Sequence, residues 1–402
     1  MMVQETLRLG LLIWMQVAQT TTPTTKPWPP IKAFTYSAEE KQAILGEASK
    51  LTTSELTDLA FDYYKFSPQE MAEMGISPKS NRPNLEQNRK IALALFHLAA
   101  QDKDPVAYFA LGCIYLFSQP PIKDTNIGET YIREVAEKGS PHGQHIMGLL
   151  RHTGVNGQIN MNKAVNWYTK AADGGHPTSP LVLGQIYRIG RGQEKDIEKA
   201  IKWLTMSAER GHPLAQRNLG DIYLRGEGGK TDRAKGLAWL KKAADSGDVV
   251  SQFQYGQALV QNDAQGDGAK RGADWVEKAA NQNLLAAQRY LGELYLNGLG
   301  RPQDPTKGIQ WIRKAADAGF ANAQARLGAI FLEGEYLGKD EALAAQWFRK
   351  AADQGDVEAQ FALGCMYAKG GGVPKDIEAA KAWLQRAAKN GHPEAPKVLS
   401  GL

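Results

Sequence analysis

The sequence predicts an all-α solenoid of about eight helical hairpins, and three recurrences carry that prediction. A glycine returns every 36 residues, at Gly112, Gly148, Gly184, Gly220, Gly256, Gly292, Gly328 and Gly364, with no insertion in any interval. An aromatic residue follows each glycine 19 residues later, at Tyr131, Trp167, Trp203, Trp239, Trp275, Trp311, Trp347 and Trp383. Between the two columns stand Asp124, Asn160, Asp196, Asp232, Asp304, Asp340 and Asp376, residues whose side chains start helices.

Each glycine lies inside a first helix, A. Leucine precedes it at Leu111, Leu183, Leu219, Leu291, Leu327 and Leu363, and an aromatic follows three residues on at Tyr115, Tyr187, Tyr223, Tyr295, Phe331 and Tyr367. A small residue stands five before it, as at Ala107, Ser179, Ala215 and Ser251. Offsets of −5, −1, +2 and +3 share one helical face, so helix A carries a compact apolar stripe. It ends at Gly154, Gly190, Gly226, Asn262, Gly298, Gly334 and Gly370, residue types that tolerate the left-handed C-terminal conformation.

Helix B starts at the Asp/Asn column. Three residues before its aromatic stands Gly or Ala (Gly128, Ala164, Ala200, Gly236, Gly272, Gly308, Ala344, Ala380). A mid-helix glycine costs about 1 kcal/mol against alanine. A whole column of them is explained by close approach of another backbone, with the Gly/Ala column of helix B as partner and the Trp ring closing the contact.

These residues resemble the Sel1-like repeat, a relative of the tetratricopeptide repeat, as in Ala215, Leu219-Gly220, Tyr223, Gly226, Asp232, Trp239, Ala243-Ala244 and Gly247. The resemblance implies a right-handed α/α superhelix and a role as adaptor or scaffold. Eight copies cover 105–392, and 393–402 begins a C-terminal capping helix. Residues 32–104 read as an irregular helical N-terminal cap, with helices over 37–50, 53–64, 67–74 and 85–101, the last matching helix B of a degenerate repeat. Residues 1–31 read as a disordered tail or targeting segment with a Thr/Pro-rich linker. Their apolar run, 7–18, is too short to span a bilayer. Glu5, the lone Arg8 and Gln16 make a poor secretory signal, and a mitochondrial presequence fits no better.

The chain has 402 residues, of which 43% are hydrophobic and 23% charged, and a net charge of +5 with both signs interspersed. No basic run with interleaved aromatics supports nucleic-acid binding. The two cysteines, Cys113 and Cys365, stand seven repeats apart, too far to bridge in a stack, and there is no Asn-x-Ser/Thr sequon. Both absences lean toward an intracellular setting, cytoplasmic or mitochondrial. No nucleophile elbow, phosphate-binding glycine loop or paired-cysteine motif occurs, so the expectation is a non-enzyme with no catalytic residue, cofactor or metal. His176, His212 and His392 repeat in Gly-His-Pro turns and read as turn residues. His142, His145 and His152 could share one helical face as metal ligands, but surface or groove histidines are the preferred reading.

The candidate partner-binding groove is the variable stripe at offsets −3, +1 and +5 of helix A. Its residues are Phe109, Phe117, His145, Leu181, Gln185, Arg217, Asp221, Arg225, Phe253, Gln257, Arg289 and Glu293, apolar early in the array and charged in the middle. Packing between neighbouring A helices is the competing account of the same residues. Protein or peptide partners are expected. The alternatives are a secreted or envelope protein binding peptide, cell-wall or host ligands, with or without hydrolase activity, and an organelle assembly factor. The fifth repeat departs most, with Tyr255, Leu259, Asn262, Gly268 and Asn283 at pattern positions, which marks either a soft joint between subarrays or simple drift.

Overall fold

The recurring caps and apolar stripes fold into paired helices. The computed structural model describes residues 52, 85–102, 104–117, 123–229, 231–264 and 266–402. The tail over 1–31 and the helices expected over 37–50, 53–64 and 67–74 lie outside the described residues. Contacts divide the chain after Arg210. The first unit contains α1 (Leu85–Gln101), α2 (Pro105–Phe117), α3 (Thr125–Glu137), α4 (Pro141–Thr153), α5 (Met161–Asp173), α6 (Ser179–Ile189) and α7 (Ile197–Glu209). The second contains α8 (Pro213–Arg225), α9 (Arg233–Asp245), α10 (Val249–Asn262), α11 (Asp267–Asn281) and α12 (Leu285–Asn297). It continues through α13 (Pro305–Asp317), α14 (Ala321–Glu333), α15 (Glu341–Asp353), α16 (Val357–Lys369), α17 (Ile377–Lys389) and α18 (Ala395–Ser400). The fold class is an all-α solenoid of helical hairpins, with no strand among the described residues.

The caps work as their residue types require. Asp124, Asn160, Asp196, Asp232, Asp304, Asp340 and Asp376 each accept a backbone N–H of the following first turn. Such a cap is worth about 1 kcal/mol. Helix A closes on left-handed glycines, Gly154, Gly190, Gly226, Gly298, Gly334 and Gly370, with φ from 67° to 80°.

The glycine column is a backbone-to-backbone contact. A methyl group built on Gly256 would lie 2.6 Å from the Gly272 carbonyl oxygen, and one on Gly272 would lie 2.6 Å from the Gly256 oxygen. Gly292 and Gly308 repeat this at 2.7 and 2.9 Å. The ring expected to close the contact is not the tryptophan. The residue after it fills the space: Ile132 at Gly112, Tyr168 at Gly148, Leu204 at Gly184, Leu240 at Gly220 and Phe348 at Gly328. The tryptophan points elsewhere, as Trp311 does against the core formed by Val260, Ala273, Ala287 and Leu291. Lysines three residues on lie over Trp239, Trp275, Trp311 and Trp347 at 4.0–4.9 Å from the ring centres.

A second column, at offset −4, is glutamine in six repeats, and all six are buried (Gln144, Gln216, Gln252, Gln288, Gln324, Gln360). Its Nε2 donates back to the last turn of the preceding helix B, from Gln252 to Ala244 O (3.3 Å), Gln288 to Ala280 O (3.1 Å), Gln324 to Ala316 O (3.0 Å) and Gln360 to Ala352 O (3.2 Å). Its Oε1 accepts from the residue that caps the following helix B: Gln282 to Gln252 (2.7 Å), Gln354 to Gln324 (2.8 Å) and Asn390 to Gln360 (3.0 Å). The corresponding residue after α13 is Ala318, which has no donor to offer, and Gln288 Oε1 is buried without a protein partner.

In the fifth repeat α10 and α11 are longer, 14 and 15 residues, and the joint between them shrinks to 263–266. Asp263 takes over the cap that Gly268 lacks, accepting Gly266 N at 2.9 Å and Gly268 N at 2.8 Å. Asn283 adopts a left-handed φ of 64°, where the terminal glycines of the other repeats have positive φ of 86° to 97°. The departures are therefore compensated locally rather than left as bare helix ends.

Two substitutions test this packing. Gly256→Ala should destabilise the protein by about 1–3 kcal/mol despite its gain in helix propensity, measured by denaturant unfolding, because a backbone oxygen cannot move aside. Ala318→Gln should stabilise by roughly 0.5–1.5 kcal/mol in the same measurement, by donating to Gln288 Oε1.

Candidate partner-binding face

Helix A positions the stripe, and the neighbouring helix A decides how much of it stays open. At His145, Arg217 and Phe361, offset −3 lies against the entry residue of the next A helix, 31 positions on. In the first unit His145 stacks on His176 with ring centres 4.1 Å apart. In the second, Arg217 Nη1 sits 3.2 Å from both carboxylate oxygens of Asp248, which itself caps α10 through Ser251 N. Phe361 stacks on His392 at 3.9 Å. Phe109, His145 and Leu181 are only 2%, 6% and 7% exposed. These three groove candidates are packing residues and offer no surface to a partner.

Offset +1 meets offset −2 of the next A helix, 33 positions on. Gln254 Nε2 donates to Asp221 Oδ1 at 3.2 Å, and Arg326 Nε donates to Glu293 Oε1 at 2.8 Å. Arg289 completes the second pair, 3.6 Å from Glu293. Phe253 turns its ring edge toward Tyr290 at 5.8 Å. Asp221, Phe253, Gln257, Arg289 and Glu293 are half-buried, as are Gln185 and Phe117 in the first unit.

Offset +5 is the open row. From the second repeat to the eighth it reads Thr153, Ile189, Arg225, Gln261, Asn297, Glu333 and Lys369, and every one is exposed. Ile189 reaches 72% exposure. Of the sequence-derived candidates, Arg225 alone belongs to this fully exposed row. Sequence reasoning missed the partners of the stripe, Asp248, Gln254, Tyr290 and Arg326. For Asp248, Gln254 and Arg326 the signal is a spacing of 31 or 33 residues from their stripe partners, and for Tyr290 one of 37 from Phe253.

The histidines do not make a metal site. His142 and His145 both face His176, whereas His152 lies beside Tyr168, its Nδ1 3.5 Å from the phenol oxygen. Burial pushes His142 down to about 4 and His145 down to about 3, so both are neutral. Among the described residues no group of three or more His, Cys, Asp or Glu could hold a metal ion. No helix among them is long and apolar enough to cross a membrane.

The Sel1 repeat model matches 79–104, 105–140, 141–176, 181–212, 213–248, 251–284, 285–320, 321–356 and 357–392. A protective antigen present in uropathogenic Escherichia coli strains, with an SLR fold, is 28% identical with a TM-score of 0.67, over 90% of this chain and 81% of that one. A Sel1 repeat protein from Oxalobacter formigenes is 29% identical with a TM-score of 0.66, over 81% of this chain and 95% of that one. No curated protein sequence matches the chain.

The two classes of stripe residue should separate in mutagenesis. Arg217→Ala should cost about 0.5–1 kcal/mol of stability, since it removes the countercharge of the α10 cap. Arg225→Ala should leave the unfolding midpoint unchanged, the ordinary result at an exposed site.

Proposed function

The chain belongs to the Sel1 repeat family, and we propose that it acts as a non-enzymatic scaffold that binds a protein or peptide across its A helices and supports assembly of a complex. The observation that carries this reading is the exposed +5 row. It presents one solvent-facing side chain per repeat, in contrast to the −3 row, which the neighbouring helix covers. Within the second unit this row is Arg225, Gln261, Asn297, Glu333 and Lys369, a mixture of charges and amides suited to the backbone and side chains of an extended segment. The half-buried Phe253, Gln257, Arg289 and Glu293 supply the floor beneath it. In the first unit, Phe117, Gln185 and the exposed Ile189 give the corresponding face a more apolar character.

A second reading places the protein outside the cytoplasm, in the envelope or beyond it. The similarity to an Escherichia coli protein described as a protective antigen favours it. Cleavage after residues near 18, seen by mass spectrometry of the intact protein, would support this reading, and an uncleaved chain would remove it.

The scaffold reading is tested by quantitative affinity purification from native cells with wild type and an Arg225→Glu, Lys369→Glu double variant. These two positions leave Arg217 and its helix cap intact. The expected result is a stoichiometric partner that the equally stable variant loses. Equal recovery by both would exclude the +5 row as the binding face.

A further inference from the structure

Three histidine rings meet inside the first unit. His176, at the entry to α6, stacks on His145 of α4 with centres 4.1 Å apart and planes 16° apart, and meets His142 edge-on at 4.9 Å. Ser179, fully buried, joins them: its Oγ is 2.8 Å from His145 Nδ1 and 2.9 Å from His176 Nδ1. The Ser179 backbone N–H also points at His176 Nδ1, at 3.2 Å. A backbone N–H only donates, so His176 Nδ1 carries a lone pair and its proton is on Nε2. The Ser179 hydroxyl then donates to His176 Nδ1 and accepts from His145 Nδ1–H. This chain of hydrogen bonds requires the His176 ring to be neutral, and burial holds His145 neutral beside it.

We propose that His142, His145, His176 and Ser179 form an acid-released latch between α4 and α6, closed while the rings are neutral and opened by protons taken up together. A proton on His176 Nδ1 would make a donor of the atom that accepts from the Ser179 backbone N–H and faces the Ser179 hydroxyl at 2.9 Å and the Thr178 hydroxyl at 3.4 Å. A proton on His145 Nε2 would place a cation against the neighbouring ring. Aromatic rings and an arginine pack against the cluster. Tyr168 of α5 lies 5.3 Å from the His145 ring, and Phe109 of α2 presents an apolar edge to His142 at 6.3 Å. Arg210, after α7, donates to Gly175 O and His176 O at 3.3 and 3.4 Å and brings a positive charge. Farther along α4, Glu129 of α3 is engaged by Arg133, Arg151 and Asn156, while Arg191 acts on His152. Burial first, then the neighbouring histidines and Arg210, hold His176 far below the ordinary histidine range.

The chain also contains the opposite arrangement. Six repeats on, the positions of His142, His145 and His176 are taken by Glu358, Phe361 and His392. There the phenyl ring stacks at 3.9 Å and the Glu358 carboxylate lies 3.3 Å from His392 Nε2, so a proton on the histidine gains a partner. Grafting that pair onto the first unit keeps a ring stacked on His176 and gives this histidine a carboxylate partner, so the variant responds more weakly to acid.

Hydrogen exchange of the full chain at pH 6.5 and 5.5, corrected for intrinsic rates, reads the opening of α4–α6. Three rings regaining an ordinary pKa of 6.5 on opening raise the open population roughly a hundredfold over this interval, whereas one ring raises it about fivefold. The His142→Glu, His145→Phe double variant should show a rise about thirtyfold smaller than wild type, because two of the titrating rings are gone. Should that variant not fold, His145→Phe alone should reduce the rise by about fivefold. A wild-type rise of about tenfold or less, a folded variant that tracks wild type, or α12–α16 opening in step with α4–α6 would overturn the proposal.

Discussion

The contact between the two glycine columns is the constraint on which the remaining packing depends. Where Gly256 meets Gly272, each backbone carbonyl occupies the space that the other residue's Cβ would need. This brings two helices closer than side chains would permit and brings the residue after the aromatic column down onto helix A. It also leaves the tryptophan free to pack on the preceding repeat. The glycine therefore loses helix propensity but makes two distinct hydrophobic contacts possible, one within the hairpin and one between hairpins.

Local structure was highly legible in the sequence. The helix-starting Asp/Asn column and the left-handed glycines correspond to residue types with one dominant local role. What was less legible depends on the neighbouring repeat. A stripe at −3, +1 and +5 is a single face of an isolated helix, and nothing within that helix shows that the next one covers −3. For His145 and Leu181 the sequence leaves groove and inter-helix packing as alternatives, and both residues are buried. The sequence reading missed the glutamine column at offset −4. A polar residue beside an apolar stripe reads as its solvent boundary until the carbonyl it reaches is known.

The fifth repeat shows how sequence departures can offset one another. Gly268 replaces a capping aspartate, and Asp263 supplies two bonds from the opposite side of a shorter joint. Asn283 replaces a glycine and keeps its left-handed backbone. Pattern matching counts each as a loss. Their combined geometry preserves the 36-residue period by lengthening both helices while shortening the connection between them.

The glutamine bridges bear on how such an array grows. In the fifth, seventh and eighth repeats the buried amide and the side chain that donates to its oxygen, Gln252 with Gln282, Gln324 with Gln354 and Gln360 with Asn390, lie within one repeat. The other partner is a main-chain carbonyl, which any preceding helix B provides whatever its residues. A duplicated stretch of 36 codons would carry both matched side chains with it and find the third group already in place. Tandem copying could thus lengthen the protein without stranding a buried polar atom at the new junction, which few conventional cores would tolerate.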